Sequence, residues 1–449
     1  MRAKFNKYLS IISLSLALFS CGKINDPYEL PDLYDLNIEE ARKVIDSNIE
    51  LEIEYIPSKT LIEGQILGYK SYEPGNVVEK KSKVVIEVSK RSLDATTVED
   101  ENNIIDYTSW MYRLTGPNSV NEEICFDHGV VGTDLGMPFT LPDGRIMMLY
   151  GDTFAAKNKA GYWNSNFMAI TSDFDLSDGL EFDELVVREN GMVKPFAQGA
   201  HQNDDEFNKD VEVTKIPTGG ISIGNNVYIF YMSVRYWGPN ASWNVTYNQC
   251  VKASLDINGN PDYTNFVNVE GLRWDDDELY GAGQIYPVEE KNHPDYIYFL
   301  MTAGGRHYGS EMMRVKKENF ENKDEYEYLT AKDTWTKGDE GIKKLGENPF
   351  FVLNIESLEP NLFYSSYLNK YVSMNRYPGY NALYVADDIT GPYTPYICPT
   401  VPTSDMVDVG SGYGFFFHEK FSSHGGKRLF LQVSRWIEYQ TSVYEVVLK

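Results

Sequence analysis

Gly132-Thr133-Asp134-Leu135-Gly136, Pro142-Asp143-Gly144 and Leu149-Tyr150-Gly151-Asp152-Thr153-Phe154 stand within one short stretch of a 449-residue chain. The middle triplet is a turn signal, and apolar, strand-forming residues flank it on both sides. Asp134 precedes Asp143 by nine residues and Asp152 follows it by nine (143 − 134 = 9; 152 − 143 = 9). A hairpin folded at this turn sets the two carboxylates side by side on neighbouring strands. Residues directly opposite in an antiparallel pair have Cβ atoms roughly 4.5–5.5 Å apart. A two-residue turn at Asp143-Gly144 would instead set Asp134 against Thr153, with Asp152 diagonal but still near.

The same pattern, a turn and then an apolar-aromatic strand, recurs along the chain. The copies are Ile146 to Gly151, Val227 to Ser233, Ile297 to Ala303, Tyr371 to Asn375 and Leu429 to Ser434. Their spacing is uneven, from roughly 55 to 80 residues, and no long amphipathic helix interrupts them. Five such units predict an all-β, five-bladed β-propeller with long loops over residues 104–449. A β-sandwich is the alternative, but it rarely needs so long a chain.

The N-terminus has the marks of an exported protein. Arg2, Lys4 and Lys7 precede a short apolar stretch, Tyr8 to Phe19, too short to span a bilayer stably. It ends in Leu18-Phe19-Ser20-Cys21-Gly22, which resembles a bacterial lipobox, with Phe19 bulkier than usual. Residues 1–20 therefore read as a lipoprotein signal peptide and Cys21 as the lipidated mature N-terminus. Residues 21–30 read as a tether, so the chain is expected to meet a membrane through lipid.

Residues 31–90 read as a small α+β module. Asn37-Ile38-Glu39-Glu40 offers a capping box, and Ile38, Ala41, Val44 and Ile45 follow at helical spacing. Ile49, Leu51, Ile53 and Tyr55 alternate with glutamates as in a half-buried strand. Tyr72-Glu73-Pro74-Gly75 is a turn, and Val84, Ile86 and Val88 form a last strand. The order resembles a PASTA domain, carried by Pro31-Asp32-Leu33, Glu39-Glu40-Ala41, Tyr55-Ile56-Pro57-Ser58, Pro74-Gly75 and Val84 to Lys90. In other proteins that resemblance implies peptidoglycan binding; beside a lipid anchor a single copy also suits a spacer. The polar run at residues 91–103 reads as a linker.

The formal net charge of −25 argues against nucleic acid or anionic lipid as a partner. Cys125, Cys250 and Cys398 allow at most one disulfide and lie at no metal-ligand spacing. The six histidines form no HxxxH-type cluster, so neither a structural zinc nor another cofactor is expected. Gly220-Ile221-Ser222-Ile223-Gly224 matches GxSxG, but Ser222 sits in an alternating strand rather than at a strand-to-helix elbow. The loop from Asp256 begins like an EF-hand, then has Pro261 where Gly belongs and Val267 where Glu belongs. The acidic runs Asp204-Asp205-Glu206 and Asp275-Asp276-Asp277-Glu278 read as solvated loops, with calcium binding as the alternative.

Two adjacent carboxylates resist double ionisation, so one keeps its proton and serves as an acid while the other serves as base or nucleophile. That arrangement hydrolyses glycosidic bonds. The competing reading is that both aspartates merely cap local turns. Trp163, Trp237 and Trp243 are candidate sugar platforms, because aromatic faces pack on sugar C–H faces; core packing is the alternative for each. Arg235 and Arg306 can fork hydrogen bonds to hydroxyls, or bridge blades. Glu356 is a candidate third carboxylate, or a strand cap.

Several ordered motifs resemble glycoside hydrolase family 183, earlier catalogued as a domain of unknown function. They are Gly132 to Gly136, Gly151 to Phe154, Trp163-Asn164-Ser165-Asn166, Ile216 to Gly220, and Tyr231 to Arg235 with Trp237-Gly238-Pro239. Gly304-Gly305-Arg306, Glu356-Ser357, Gly391-Pro392-Tyr393, Tyr413-Gly414 and Gln432-Val433-Ser434-Arg435-Trp436 follow. The resemblance implies a five-bladed propeller and endo-acting hydrolysis of D-arabinan, the polysaccharide of mycobacterial arabinogalactan and lipoarabinomannan. It places the catalytic acids on Asp134 and Asp152, and Asn166 joins Trp163, Arg235, Trp237, Arg306 and Glu356 as an expected substrate-binding residue. Glu311, in Gly309-Ser310-Glu311, departs from the smaller uncharged residues expected there. Another furanoside such as L-arabinan, or glycan binding without cleavage, are the competing functions. The oligomeric state is not legible in the sequence.

Overall fold

The computed structural model describes residues 26–201, 212–237, 243–289, 291–305, 308–355, 359–377, 380–399 and 412–449. Contacts divide the chain into two units after Lys90. Cys21 lies outside the described residues, as do Arg306 and Glu356.

The first unit carries strands β1 (Pro27–Glu29), β2 (Glu50–Pro57), β3 (Ile66–Tyr69), β4 (Val77–Glu79) and β5 (Lys83–Lys90), with helix α1 (Ile38–Val44) before β2. The capping box forms: Asn37 Oδ1 accepts the Glu40 N–H at 2.9 Å, and Glu40 Oε2 accepts the Asn37 N–H at 3.0 Å. β5 lies between β2, which is parallel to it, and antiparallel β3. Val84, Ile86 and Val88 of β5 are fully buried against Ala41 and Ile45. Each such aliphatic side chain contributes roughly 1.5–3 kcal/mol.

The second unit is all-β and, among the described residues, holds five antiparallel sheets. The run expected as a linker, 91–103, belongs to it. β6 (Thr96–Thr97) is the edge strand beside β7 (Ile105–Arg113). The Arg91 guanidinium pairs with Asp106 at 2.8 Å and the Asn103 amide reaches the Ile397 carbonyl at 2.9 Å. Polar composition there marks an edge rather than a free connection.

Helix α2 (Glu122–Asp127) leads into the first sheet, β8 (Gly132–Thr140), β9 (Ile146–Ala156), β10 (Ala160–Asn164), β11 (Phe167–Thr171) and β12 (Glu184–Leu185). The second holds β13 (Thr214–Ile223), β14 (Asn226–Trp237), β15 (Trp243–Leu255) and β16 (Pro261–Asp275). The third holds β17 (Gln284–Glu289), β18 (Tyr296–Thr302), β19 (Glu311–Lys316), β20 (Glu327–Ala331) and β21 (Thr334–Lys337), followed by α3 (Gly338–Glu347). The fourth holds β22 (Phe363–Ser365), β23 (Lys370–Tyr377), β24 (Tyr380–Ala386) and β25 (Thr394–Cys398). The fifth holds β26 (Gly412–Phe416), β27 (Arg428–Arg435) and β28 (Gln440–Leu448), and β28 pairs antiparallel with β7. The last strand of the chain thus joins the first strands of this unit in one sheet.

Each recurring apolar run is the second strand of its sheet. These strands are buried on both faces, so alternate residues face alternate neighbours. Met147 and Leu149 pack toward the second sheet, whereas Ile146, Met148 and Tyr150 pack with Phe430 and Val443 of the fifth. Tyr228 and Phe230 meet Ile297 and Phe299 of the third sheet. Val372 and Met374 meet Leu429 and Leu431. The sheets therefore follow one another in a ring, and the first strand of each lines a common channel. A cavity of about 480 Å³ is walled by Phe139, Ile221, Tyr286, Phe363 and Phe417, one residue from each first strand or its end.

Cys125, Cys250 and Cys398 are all buried free thiols. Asp256 Oδ1 accepts the N–H groups of Asn258 and Asn260, both at 2.8 Å, so the EF-hand-like stretch is an Asx turn between β15 and β16. Ser222 lies in β13 and donates to the Thr140 carbonyl at 2.8 Å. In the acidic run, Asp275 pairs with Arg273 and Glu278 with Lys323.

Candidate active site

The β8–β9 hairpin has the register centred on Asp143. Thr133 faces Thr153 at the open end, and Phe139 faces Met147 near the turn. Between them the ladder bulges around Asp134, Leu135 and Gly136. Leu135 has φ +69° and Gly136 φ +95°. Left-handed backbone at a leucine is costly and persists only where the surroundings enforce it, as at functional sites. The Leu135 N–H is held by Ser434 Oγ at 2.7 Å. The bulge re-aims Asp134, and Gly151 opposite leaves the room: a Cβ there would lie 2.3 Å from Asp134 Oδ1.

Both aspartates are buried, Asp134 at 8% exposure and Asp152 at 5%. Asp152 Oδ1 accepts Trp163 Nε1–H at 2.7 Å and the Thr214 hydroxyl from β13. Burial pushes the Asp152 carboxyl up to about 8, with the Asp134 charge adding to the rise and the Thr214 and Trp163 bonds opposing it. At neutral pH Asp152 therefore holds a proton. Because both donors use Oδ1, Oδ2 is the oxygen that carries it. Asp134 lies in different surroundings: its Oδ2 accepts the Tyr413 hydroxyl at 2.7 Å, and Tyr439 shares a hydrogen bond with it. Donated hydroxyl protons favour a charged carboxylate. One fold thus offers a protonated acid beside a hydrogen-bonded carboxylate.

The remaining expected residues divide by position. Trp163 is in the site, but as a support. Its indole N–H holds Asp152, and its ring stacks on His201 at 3.9 Å and lies 5.7 Å from Phe154. Asn166 is fully buried, donates to the Ala197 and Lys215 carbonyls, and accepts the Phe196 N–H. Every polar atom is committed to the backbone, so Asn166 braces the first sheet against the second instead of meeting substrate. Arg235 is the half-buried bulge residue of β14, between paired Val234 and Tyr236. Trp237 ends that strand 42% exposed and edge-on to Trp243, which is itself buried.

Tyr413, Tyr439, Thr214, His201 and Lys159 also shape the site. Lys159 belongs to the turn that follows β9 and Tyr413 to the Tyr413-Gly414 motif, whereas Thr214, His201 and Tyr439 arrive from other strands and turns with no local tie to the aspartates. Glu359 is similar, buried and accepting the Gly414 N–H at 2.9 Å beside Tyr413. Glu311 is fully buried against Gly281 with neither carboxyl oxygen hydrogen-bonded among the described residues, and burial raises it to about 8. No three His, Cys, Asp or Glu side chains cluster to hold a metal among the described residues. The 480 Å³ cavity lies toward the other end of β8, beginning at Pro138, four residues beyond Asp134, a strand distance of about 13 Å.

Known proteins share parts of this chain. Notoamide biosynthesis cluster protein J' of Aspergillus versicolor is 25% identical over 321 residues, covering 69% of this chain and 82% of that protein. Among solved structures, a Bacteroides ovatus protein with a provisional hydrolase assignment superposes with a TM-score of 0.51 at 15% identity, covering 75% of this chain and 94% of that one. That likeness is one of fold. A Bombyx mori GH32 β-fructofuranosidase superposes with a TM-score of 0.41 at 12% identity, covering 74% of this chain and 61% of that one. Residues 118–446 match DUF4185, a domain of unknown function, and the chain belongs to that family.

Proposed function

We propose that the second unit is a five-bladed propeller glycoside hydrolase that cleaves internal α-D-arabinofuranosyl linkages of arabinan. The observation that carries the reading is the split between the two aspartates. Asp152 is buried, protonated and oriented by Trp163 and Thr214; Asp134 is a carboxylate supported by two tyrosine hydroxyls. Asp152 donates its proton to the leaving-group oxygen. Asp134 attacks the anomeric carbon or activates the water that does so; a carboxyl separation near 5 Å goes with retention and about 6.5–9.5 Å with inversion. Trp237 is an exposed aromatic surface suited to a sugar face. The D-arabinan specificity is supported by the motif resemblance to glycoside hydrolase family 183. The protein is proposed to be exported and held by lipid at Cys21, with the PASTA-like first unit as spacer or wall contact.

Purified arabinogalactan, D-arabinan and L-arabinan incubated with the full chain test the substrate. New reducing ends and a ladder of oligosaccharides from the D-polymers support the reading. Cleavage of L-arabinan alone reassigns the furanoside, and retention of polymer without new reducing ends identifies a binding protein.

A further inference from the structure

Lys159 lies at the tip of the β9–β10 hairpin, where it and Asn158 have φ of +56° and +61°. Elsewhere lysines meet carboxylates, as Lys291 meets Glu419 and Lys323 meets Glu278. Lys159 has no ion pair among the described residues. Its ammonium instead lies over aromatic rings, 3.3 Å from the centroid of Trp436 and 4.5 Å from that of Tyr439. Ring faces attract a cation without neutralising it, so the charge remains available to its surroundings.

Those surroundings are the aspartate pair. Tyr439, one of the two supporting rings, also hydrogen-bonds Asp134. Trp436 lies edge-on to Tyr413, the other hydroxyl on Asp134. Burial lowers the Lys159 ammonium from its usual range, and the charges of Asp134 first and Asp152 second act against that. Among the described residues, the other ionisable groups facing the pair are Tyr413 from β26 and Tyr439 from the β27–β28 turn. His201 reaches Asp152 through the Trp163 ring, and Arg435 and Glu438 on that turn pair with each other at 3.7 Å.

We propose that Lys159 is a positioning residue for the pair: its ring-held ammonium, beside the tyrosines that hold Asp134, favours the ionised form of Asp134. The proposal rests on the acid–carboxylate reading given above. Without this charge both groups hold protons to higher pH, and Asp134 changes more because its charge interacts more strongly with Lys159. A carboxylate that loses a nearby opposite charge titrates at higher pH, and because Lys159 is half-buried and held on the rings the expected rise is about one pH unit.

The test is a carboxyl titration by difference infrared spectroscopy on the full chain, with Asp134→Asn and Asp152→Asn assigning the bands. Lys159→Met is expected to raise the Asp134 titration by about one pH unit, and Lys159→Arg to restore it. On D-arabinan, the acidic limb of kcat/KM should move up by the same amount in Lys159→Met alone. An Asp134 titration identical in wild type and Lys159→Met overturns the proposal, even if that variant is less stable. The infrared measurement needs no substrate. Inactivity on every arabinan therefore counts against the hydrolase reading alone, whereas an unshifted band in an active enzyme counts against Lys159 alone.

Discussion

At the scale of single residues, two aspartates of identical chemistry are made different by what surrounds them. Asp152 is raised chiefly by burial, Asp134 is supported by hydroxyl donors. The sign of the pH dependence follows. An acid must hold its proton to act, so kcat/KM on D-arabinan oligosaccharides should fall as pH rises through about 8. Trp163 stabilises the ionised form of Asp152, so Trp163→Phe should move that alkaline limb to higher pH, besides lowering the rate. The same shift affects stability in the opposite sense to a salt-bridged carboxylate. The folded state binds a proton that the unfolded state has released above its ordinary 3.8, so the stability Asp152 contributes is full below 3.8 and lost as pH rises to about 8. Position, not residue type, also decides the fate of Trp163 and Asn166: both stand in one quoted motif, yet one orients an acid and the other ties backbone together.

At the scale of the element, the β8–β9 hairpin does the aiming. Its glycines are spatial requirements. Gly151→Ala would put a Cβ 2.3 Å from Asp134 Oδ1 and 3.1 Å from Leu135, displacing the carboxylate from its tyrosines. A displacement near 1 Å costs on the order of 10²-fold in rate, so kcat/KM should fall by about that factor while the thermal midpoint moves little. The hairpin was legible in the sequence because Pro142-Asp143-Gly144 sits midway between the two acids, but its register was open by one residue until the Thr133–Thr153 pairing fixed it. The bulge was not, because it depends on Ser434, a residue 299 positions away, holding the Leu135 N–H. The five second strands were legible for a similar local reason: a strand buried on both faces must be apolar throughout. Edge strands carry no such mark, which is why Thr96–Thr97 read as linker. The partners of the aspartates, Thr214, Tyr413 and Tyr439, come from three other segments, and no spacing rule links them to the hairpin.

At the scale of the molecule, the ring of sheets depends on joining the two ends of the second unit. β28 pairs with β7, and within the same sheet Arg428 and Glu445 form a 2.7 Å ion pair with both side chains 1% exposed. Removing one partner leaves a buried charge, a cost of about 3–5 kcal/mol. Glu445→Leu should therefore lower the unfolding free energy of this unit by about that much in urea denaturation, and the double change with Arg428→Met should recover most of it. In the proposed reaction closure matters because it brings Tyr413 and Tyr439 of the last sheet to Asp134 of the first. The most direct test of the whole account is oligosaccharide release from purified arabinogalactan by the full chain, its Asp134→Asn form and its Asp152→Asn form. Loss of general acid catalysis costs about 10²–10⁴-fold. The account predicts a fall of at least about 10²-fold in each variant with folding intact; release at wild-type rate from both would contradict it.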